Sequence, residues 1–162
     1  MQPTKYGHMS TRAISYLKKV GIPFEVVKYD HEEKGAEFAA RATDFPLVRT
    51  VKTLVVELGH EKYCLALMPG DRQLDLKCLA KVTGTKRSTM VDTATAERFT
   101  GYLVGGISPF GTKQALPAVM EKRIREYAQV LINAGQRGVM LKMAPEDIVA
   151  ALGCRLESIS KG

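Results

Sequence analysis

The stretch "VKTLVVELGHEKYCLALMP", residues 51–69, contains two apolar runs held apart by a short polar segment. Residues 51–58 and 62–69 are rich in β-branched, aliphatic and aromatic side chains, and Gly59-His60-Glu61 joins them. Runs of that length around a glycine-containing connection read as two strands of a β-hairpin. Side chains alternate between faces along a strand, so Lys52 shares a face with Leu54, Val56 and Leu58. A lysine at the mouth of an apolar face has two readings. Either it snorkels to water, or it presents a fixed cation to a phosphate, a carbonyl oxygen or a developing oxyanion.

The pattern outward from the hairpin mixes both element types. Ser10 is placed to cap a helix running to Val20, with Gly21 as its stop. Residues 23–29, "PFEVVKY", read as a strand, and the Ala-rich stretch 34–44 as a helix ended by Asp44-Phe45-Pro46. Beyond the hairpin, "DLKCLAKVTG" reads as a helix with Asp71 as the expected cap, and "DTATAERFTG" as a second, capped by Asp92 or Thr93. Then come a short strand "YLVGG" (102–106), the strands "AQVLIN" and "VMLKM" joined by "AGQRG", and a helix "APEDIVAALG" with Pro145 in its first turn. "RLESIS" adds an edge strand. The expectation is a single α+β domain over residues 10–160, with a mixed, mostly antiparallel sheet flanked by helices. Residues 1–9 read as a leader or an expression scar, with Met9 as a natural start.

Bulk composition narrows the function classes. The 162 residues are 45% hydrophobic and 25% charged, an ordinary globular balance. No apolar run approaches the roughly 18 residues of a membrane span, so no membrane partner is expected. The net charge of +7, from 24 Lys and Arg against 17 Asp and Glu, favours a polyanionic partner. Cys64, Cys78 and Cys154 form no CxxC or Cys/His set. Cys64 and Cys78 read as buried small side chains, a reducing cytoplasm fits best, and zinc is not expected.

Two glycine-rich segments stand out. "GGISPFG" (105–111) carries more glycine than a reversal needs, which suggests backbone that something must approach closely. "NAGQRG" (133–138) either completes a hairpin or forms a second loop whose amides face a ligand. Arg137 there is a solvent charge or a phosphate contact. Lys81, Lys86 and Arg87 form a small basic cluster, either solvated or placed on a polyanion. His8, His31 and His60 sit near no Ser or Cys in a motif setting. There is no GxSxG, P-loop, GxGxxG, HExxH or paired-carboxylate signature. A hydrolase with this inventory relies on positioning, on backbone donors or on a group of its own substrate.

"VKTLVVE", "DRQLDLKCLAK", "TGYLVGGISPFGTKQALP" and "NAGQRGVMLKMAPEDIV", in that order and spacing, resemble the YbaK family of free-standing aminoacyl-tRNA deacylases. These are relatives of the editing domain of bacterial prolyl-tRNA synthetases. The resemblance runs from about Ser10 to Ile159 and is nearest the Cys-tRNA(Pro) branch. It implies a trans-editing hydrolase that cleaves misacylated tRNA(Pro), Cys-tRNA(Pro) first, without cofactor or metal, working alone or beside prolyl-tRNA synthetase. Deacylation of Ala or Ser esters, and a non-catalytic tRNA- or amino-acid-binding module, are the alternatives.

By the same resemblance Lys52 and Gly106 are the catalytic residues. The lysine would orient the terminal nucleotide, and the "GISP" backbone (Gly106 to Pro109) would lie against the aminoacyl carbonyl. Thr53, Gly105, Ile107, Ser108, Pro109, Asn133, Ala134, Gly135, Arg137 and Gly138 are the implied substrate contacts, and Lys81, Lys86 and Arg87 the nucleic-acid surface. In that branch the substrate's own thiol is thought to attack the carbonyl. Asn133 departs from the family pattern, in which a small hydroxyl residue is frequent, and "TDFPLVRTVK" before the lysine is atypical.

Overall fold

The computed structural model describes residues 11–30, 36–43 and 45–162; the leader, the Ser10 cap, His8, His31 and Asp44 fall outside them. Helix α1 (Arg12–Val20) is capped by Thr11, whose Oγ1 accepts the Ile14 amide at 3.1 Å. The same hydroxyl donates to the Ala134 carbonyl at 2.6 Å, so the cap also fastens the helix to the sheet. Strand β1 (Glu25–Lys28), helix α2 (Ala36–Thr43) and a 3-10 turn at Leu47–Arg49 lead into the hairpin of β2 (Thr50–Glu57) and β3 (Tyr63–Pro69). Helix α3 (Leu76–Thr83), the two-residue strand β4 (Thr89–Met90) and helix α4 (Thr93–Thr100) follow. After a long loop come β5 (Ala118–Glu121), a 3-10 turn at Lys122–Glu126, and the hairpin of β6 (Val130–Gln136) and β7 (Val139–Met143). Helix α5 (Pro145–Leu152) and edge strand β8 (Arg155–Glu157) end the fold.

The strands form one sheet in the order β1-β7-β6-β2-β3-β5-β8, with β4 added beside β2. Neighbours β1/β7, β2/β3, β2/β4 and β6/β7 are antiparallel, while β2/β6, β3/β5 and β5/β8 are parallel. This is the mixed sheet of an α+β domain. Alternation along β2 sends Val51 and Val55 to one core and Leu54 and Val56 to the other. On the first face, Ile14 and Leu17 of α1, Ala96 of α4 and Ile148 of α5 cover the sheet. On the second, Leu79 of α3 packs on Val56, Ala66 and Met68. Each such aliphatic side chain stabilises the fold by roughly 1.5–3 kcal/mol on full burial.

Three local readings change. Residues 102–106 are an irregular loop, not a strand, because their polar backbone is spent locally. The Val104 amide donates to the Glu97 carboxylate at 2.8 Å, and the Gly106 amide closes a turn on the Leu103 carbonyl at 2.9 Å. Helix α3 is capped by Asp75, whose Oδ1 accepts the Cys78 amide at 3.0 Å, rather than by Asp71. Strands β4 and β5 are additions. All four residues of β5 are buried, so no alternation marks it.

One irregularity of the sheet matters most. Parallel β2 and β6 pair only at Thr50↔Leu131 and Val51↔Ile132, and β2 next finds a neighbour on that side in β4, at Val56↔Met90 and Glu57↔Thr89. Among the described residues, positions 52–54 have no strand beside them there. The sheet is split at its centre.

The chain's last turn is held by a buried carboxylate. Glu121, 1% exposed, accepts from the Arg123 amide (2.8 Å), the Ile159 amide (3.0 Å), and the Ser160 amide (3.1 Å) and hydroxyl (2.8 Å). Burial acts to raise its pKa, but these donors outweigh it and hold the carboxyl below its usual 4.5. A depressed folded pKa contributes stability above the unfolded value that is lost as pH falls through the folded one. Glu121→Gln should therefore destabilise by about 2 kcal/mol at pH 7. It should also flatten the loss of stability on acidification below the usual carboxylate range, as read by thermal melts at several pH values.

Candidate active site

Hydrogen-bond parity on β2 decides what faces the split. The Thr50 carbonyl accepts from Gly70 (2.7 Å) and the Leu58 amide donates to Lys62 (2.7 Å), both on the β3 side, whereas the Val55 carbonyl accepts from Val91 (3.4 Å) on the other. Alternation then turns the main-chain N–H and C=O of Thr53 into the opening. A cavity of about 260 Å³ occupies it. Its floor is Val51–Val55 of β2, one wall is Met90–Thr93, and the opposite wall is Val104, Gly105 and Ile107 with Asn133 of β6. Lys52 and Thr53 are thus brought together with the glycine loop. Thr53 Oγ1 is distinctive: among the described residues it is the buried side-chain polar atom that has no hydrogen-bond partner. A buried hydroxyl in that state costs free energy.

The "GISP" loop and "NAGQRG" do meet, but by clasping each other. Asn133 Nδ2 donates to the Gly105 carbonyl at 3.1 Å, and its Oδ1 accepts the Gly135 amide at 2.9 Å. Arg137 does not line the cavity. Its Nε (2.9 Å) and Nη2 grip the Val104 carbonyl, which makes it a brace for the loop. Gly106 is buried behind the wall with its amide on Leu103, so in this structure that amide is not aimed at a ligand. Glycine is needed there because a Cβ would lie 3.0 Å from the Arg137 nitrogen and 3.2 Å from the Gln136 backbone. At Gly135 a Cβ would lie 2.6 Å from the Tyr102 ring. The expected close approach is real, and the approaching group is the protein itself.

The other candidate contacts sit behind this surface. Ser108 is fully buried and accepts the Phe110 amide at 3.3 Å. Pro109 is buried, the Ala134 carbonyl is held by Thr11, and the Gly138 carbonyl accepts from Tyr29. Tyr102 donates to the Phe110 carbonyl, and burial pushes its phenol up to about 12, so it stays a donor across the physiological range. Lys81, Lys86 and Arg87 are exposed and outside the cavity, on the segment that runs into its Met90–Thr93 wall. His60 is at the exposed hairpin tip.

The Met90–Thr93 wall escapes sequence reading, because β4 exists only through its pairing with β2. Its usable signal is the cap: Asp92 Oδ1 accepts the Thr95 amide at 2.8 Å, and hydrogen bonding from the Thr95 side chain and then its amide lowers the Asp92 pKa and keeps a carboxylate at the cavity. Among the described lining residues, Lys52 is the cation and Asp92 the carboxylate. Among the described residues no group of His, Cys, Asp and Glu is arranged to hold a metal.

A family model described as the aminoacyl-tRNA editing domain matches residues 31–151, a span that holds every wall of the cavity except Tyr29. The chain belongs to this family. Of curated relatives of this editing domain, EbsC of Enterococcus faecalis, named for Cys-tRNA(Pro)/Cys-tRNA(Cys) deacylation, is 31% identical over 90% of each chain. ProXp-y of Escherichia coli, a multifunctional Ser/Thr-tRNA deacylase, is 30% identical over 82% of this chain and 83% of its own. A crystal structure described as a trans-editing enzyme for prolyl-tRNA synthetase superposes with a TM-score of 0.85 at 24% identity, covering 93% of this chain and 96% of that one. That likeness shows the fold.

The clasp makes a testable demand. Asn133→Ala removes both side-chain bonds and should cost about 1–2 kcal/mol. Amide hydrogen exchange should accelerate over residues 103–108 while α1 and the β2/β3 ladder keep their protection. Asn133→Ser should restore only part of the loss, since one hydroxyl cannot bridge both partners.

Proposed function

We propose that the protein is a trans-acting deacylase that hydrolyses the ester of misacylated tRNA(Pro), with Cys-tRNA(Pro) the first substrate, in the cytoplasm where charging occurs. The observation that carries this reading is the unpartnered Thr53 hydroxyl inside a cavity that has Lys52 and Asp92 on its walls. An aminoacyl ester brings matching groups: an α-ammonium for Asp92, ribose hydroxyls and an ester carbonyl for Thr53, and a terminal phosphate or developing oxyanion for Lys52. Gly105 and Ile107 line the cavity and, with Gly106 between them, are the positions from which main-chain groups would meet the aminoacyl moiety.

Among the described residues, none that lines the cavity is a histidine or cysteine. The protein's own Cys64 lies in the core on the other face, where burial pushes its thiol up to about 11. A nucleophile supplied by the substrate fits this setting. For a cysteinyl ester the side-chain sulfur forms a bond to the carbonyl carbon, the bond to the ribose oxygen breaks, and the thiol proton passes to that oxygen. The products are a free terminal hydroxyl and a cyclic cysteine thioester that water opens. This lyase-type step distinguishes Cys from Ala and Ser, which require an attacking water. Kinship with deacylases named for Cys-tRNA(Pro) and for Ser/Thr-tRNA supports the ester class, and docking on prolyl-tRNA synthetase is part of the proposal.

The test is release of labelled amino acid from Cys-, Ala- and Ser-tRNA(Pro). Wild type should prefer the cysteinyl ester, and Lys52→Ala should lose roughly 10²–10³ in rate while staying folded, the scale of one oxyanion donor. Cleavage of alanyl or seryl esters alone would relocate the specificity, and no cleavage of any of them would refute the proposal. Thr53→Val is a sharper probe. Removing an unpaired buried hydroxyl should leave stability unchanged or raise it by about 1 kcal/mol, yet lower kcat/KM about tenfold by removing one substrate hydrogen bond. A coupled loss of stability and activity would count against the role given to that hydroxyl.

A further inference from the structure

The sheet edge farthest from β1 carries cations that the cleft does not use. Lys122, Arg123 and Arg125 lie within one 3-10 turn, and all three are exposed. Their outward direction has a structural cause. Ile124 between them is 1% exposed in the first core, and the Arg123 amide is held by the buried Glu121 carboxylate. The turn is therefore pinned through its apolar residue and its backbone, which leaves the long basic side chains to solvent. With Glu126, Leu156 and Ser158 they line a surface depression of about 540 Å³, three cations to one carboxylate. Among the described residues none of the three is in a salt bridge.

Strand register fixes where this depression lies relative to the cleft. Thr53 is paired with Leu67, Leu67 with Met120, and Met120 with Leu156. The cavity floor and the floor of the depression thus sit in one row, three strand spacings or about 14 Å apart. Paired residues share a face, so Thr53 and Leu156 stand on the same side of the sheet. Phosphates of one stacked strand recur at about 3.4 Å, so about four nucleotides separate the two places.

We infer that the Lys122–Arg125 depression is a second contact for the RNA whose 3′ end enters the cleft, taking backbone phosphates about four nucleotides from the terminus. The inference rests on the deacylase reading for the identity of the ligand. Charge complementarity and the shared row favour RNA over an acidic protein segment, which would have no reason to lie within a few nucleotides of the cleft. The contact is to phosphates only, so it supplies affinity and orientation without sequence preference.

The test is equilibrium binding of unacylated tRNA(Pro) across a range of salt concentrations. Three proteins are compared: wild type, Lys122→Gln/Arg123→Gln/Arg125→Gln, and a control of equal charge, Lys18→Gln/Lys19→Gln/Lys113→Gln, whose positions are also exposed. The first variant should reduce the slope of log K against log salt by about 2, at 0.7–0.9 per phosphate contact. The control should retain the wild-type slope. An unchanged slope in the first variant, or an equal reduction in the control, would overturn the inference. Wild-type cleavage of full-length Cys-, Ala- and Ser-tRNA(Pro) is scored separately. Its absence would refute the deacylase reading, and the salt slope would still decide this surface.

Discussion

The parting of β2 from β6 after Val51 is the constraint on which the rest of the molecule depends. Two strands that pair at only two positions leave an open stretch at the centre of the sheet, where main-chain groups are normally consumed by a ladder. β6 cannot continue alongside β2, because its register shifts between Asn133 and Gln136 and Gly135 is pressed against the Tyr102 ring. β4 then resumes pairing with β2 at Val56. The result is a chamber whose floor is a rigid strand rather than a loop. That suits a reaction with little covalent help from the protein, where rate depends on holding the ester in place.

The walls achieve rigidity by mutual contact. The loop at 104–107 is held by Arg137 on Val104, by Asn133 on Gly105 and by the missing side chain of Gly106 against Gln136 and Arg137. These three contacts join segments about thirty residues apart, so neither segment has its shape without the other. Among the described residues the buried side-chain polar atom left unsatisfied, Thr53 Oγ1, is on the central strand of the site. A protein that leaves one buried hydroxyl unmatched on a central strand carries a cost that a bound ligand can offset.

Sequence alone carried the reading a long way, and its limits have identifiable causes. The β2/β3 hairpin and the Lys52 face were legible because alternation and a glycine connection are local signals. The two glycine segments were legible as special, but the groups they pack against were not. Composition announces that a backbone is approached closely but not by what, and here the neighbour of Gly106 is Arg137, distant in sequence. The strand expected at 102–106 gave way to a loop because the Glu97 carboxylate captured the Val104 amide. The Met90–Thr93 wall and the buried strand β5 were silent for the complementary reason. A two-residue strand exists only through its partner, and a four-residue run buried on both faces has no period to read.

The central claim is that the gap beside Lys52 and Thr53 receives the aminoacyl end of a nucleic acid. The most direct measurement is a crystal structure with an adenosine carrying its aminoacyl group through a non-hydrolysable 3′-amide. The account predicts the aminoacyl group inside the split between β2 and β6, with Thr53 Oγ1 hydrogen-bonded to the ligand and the 104–107 loop unmoved. A ligand bound elsewhere, with Thr53 still unpartnered and the gap vacant, would contradict it.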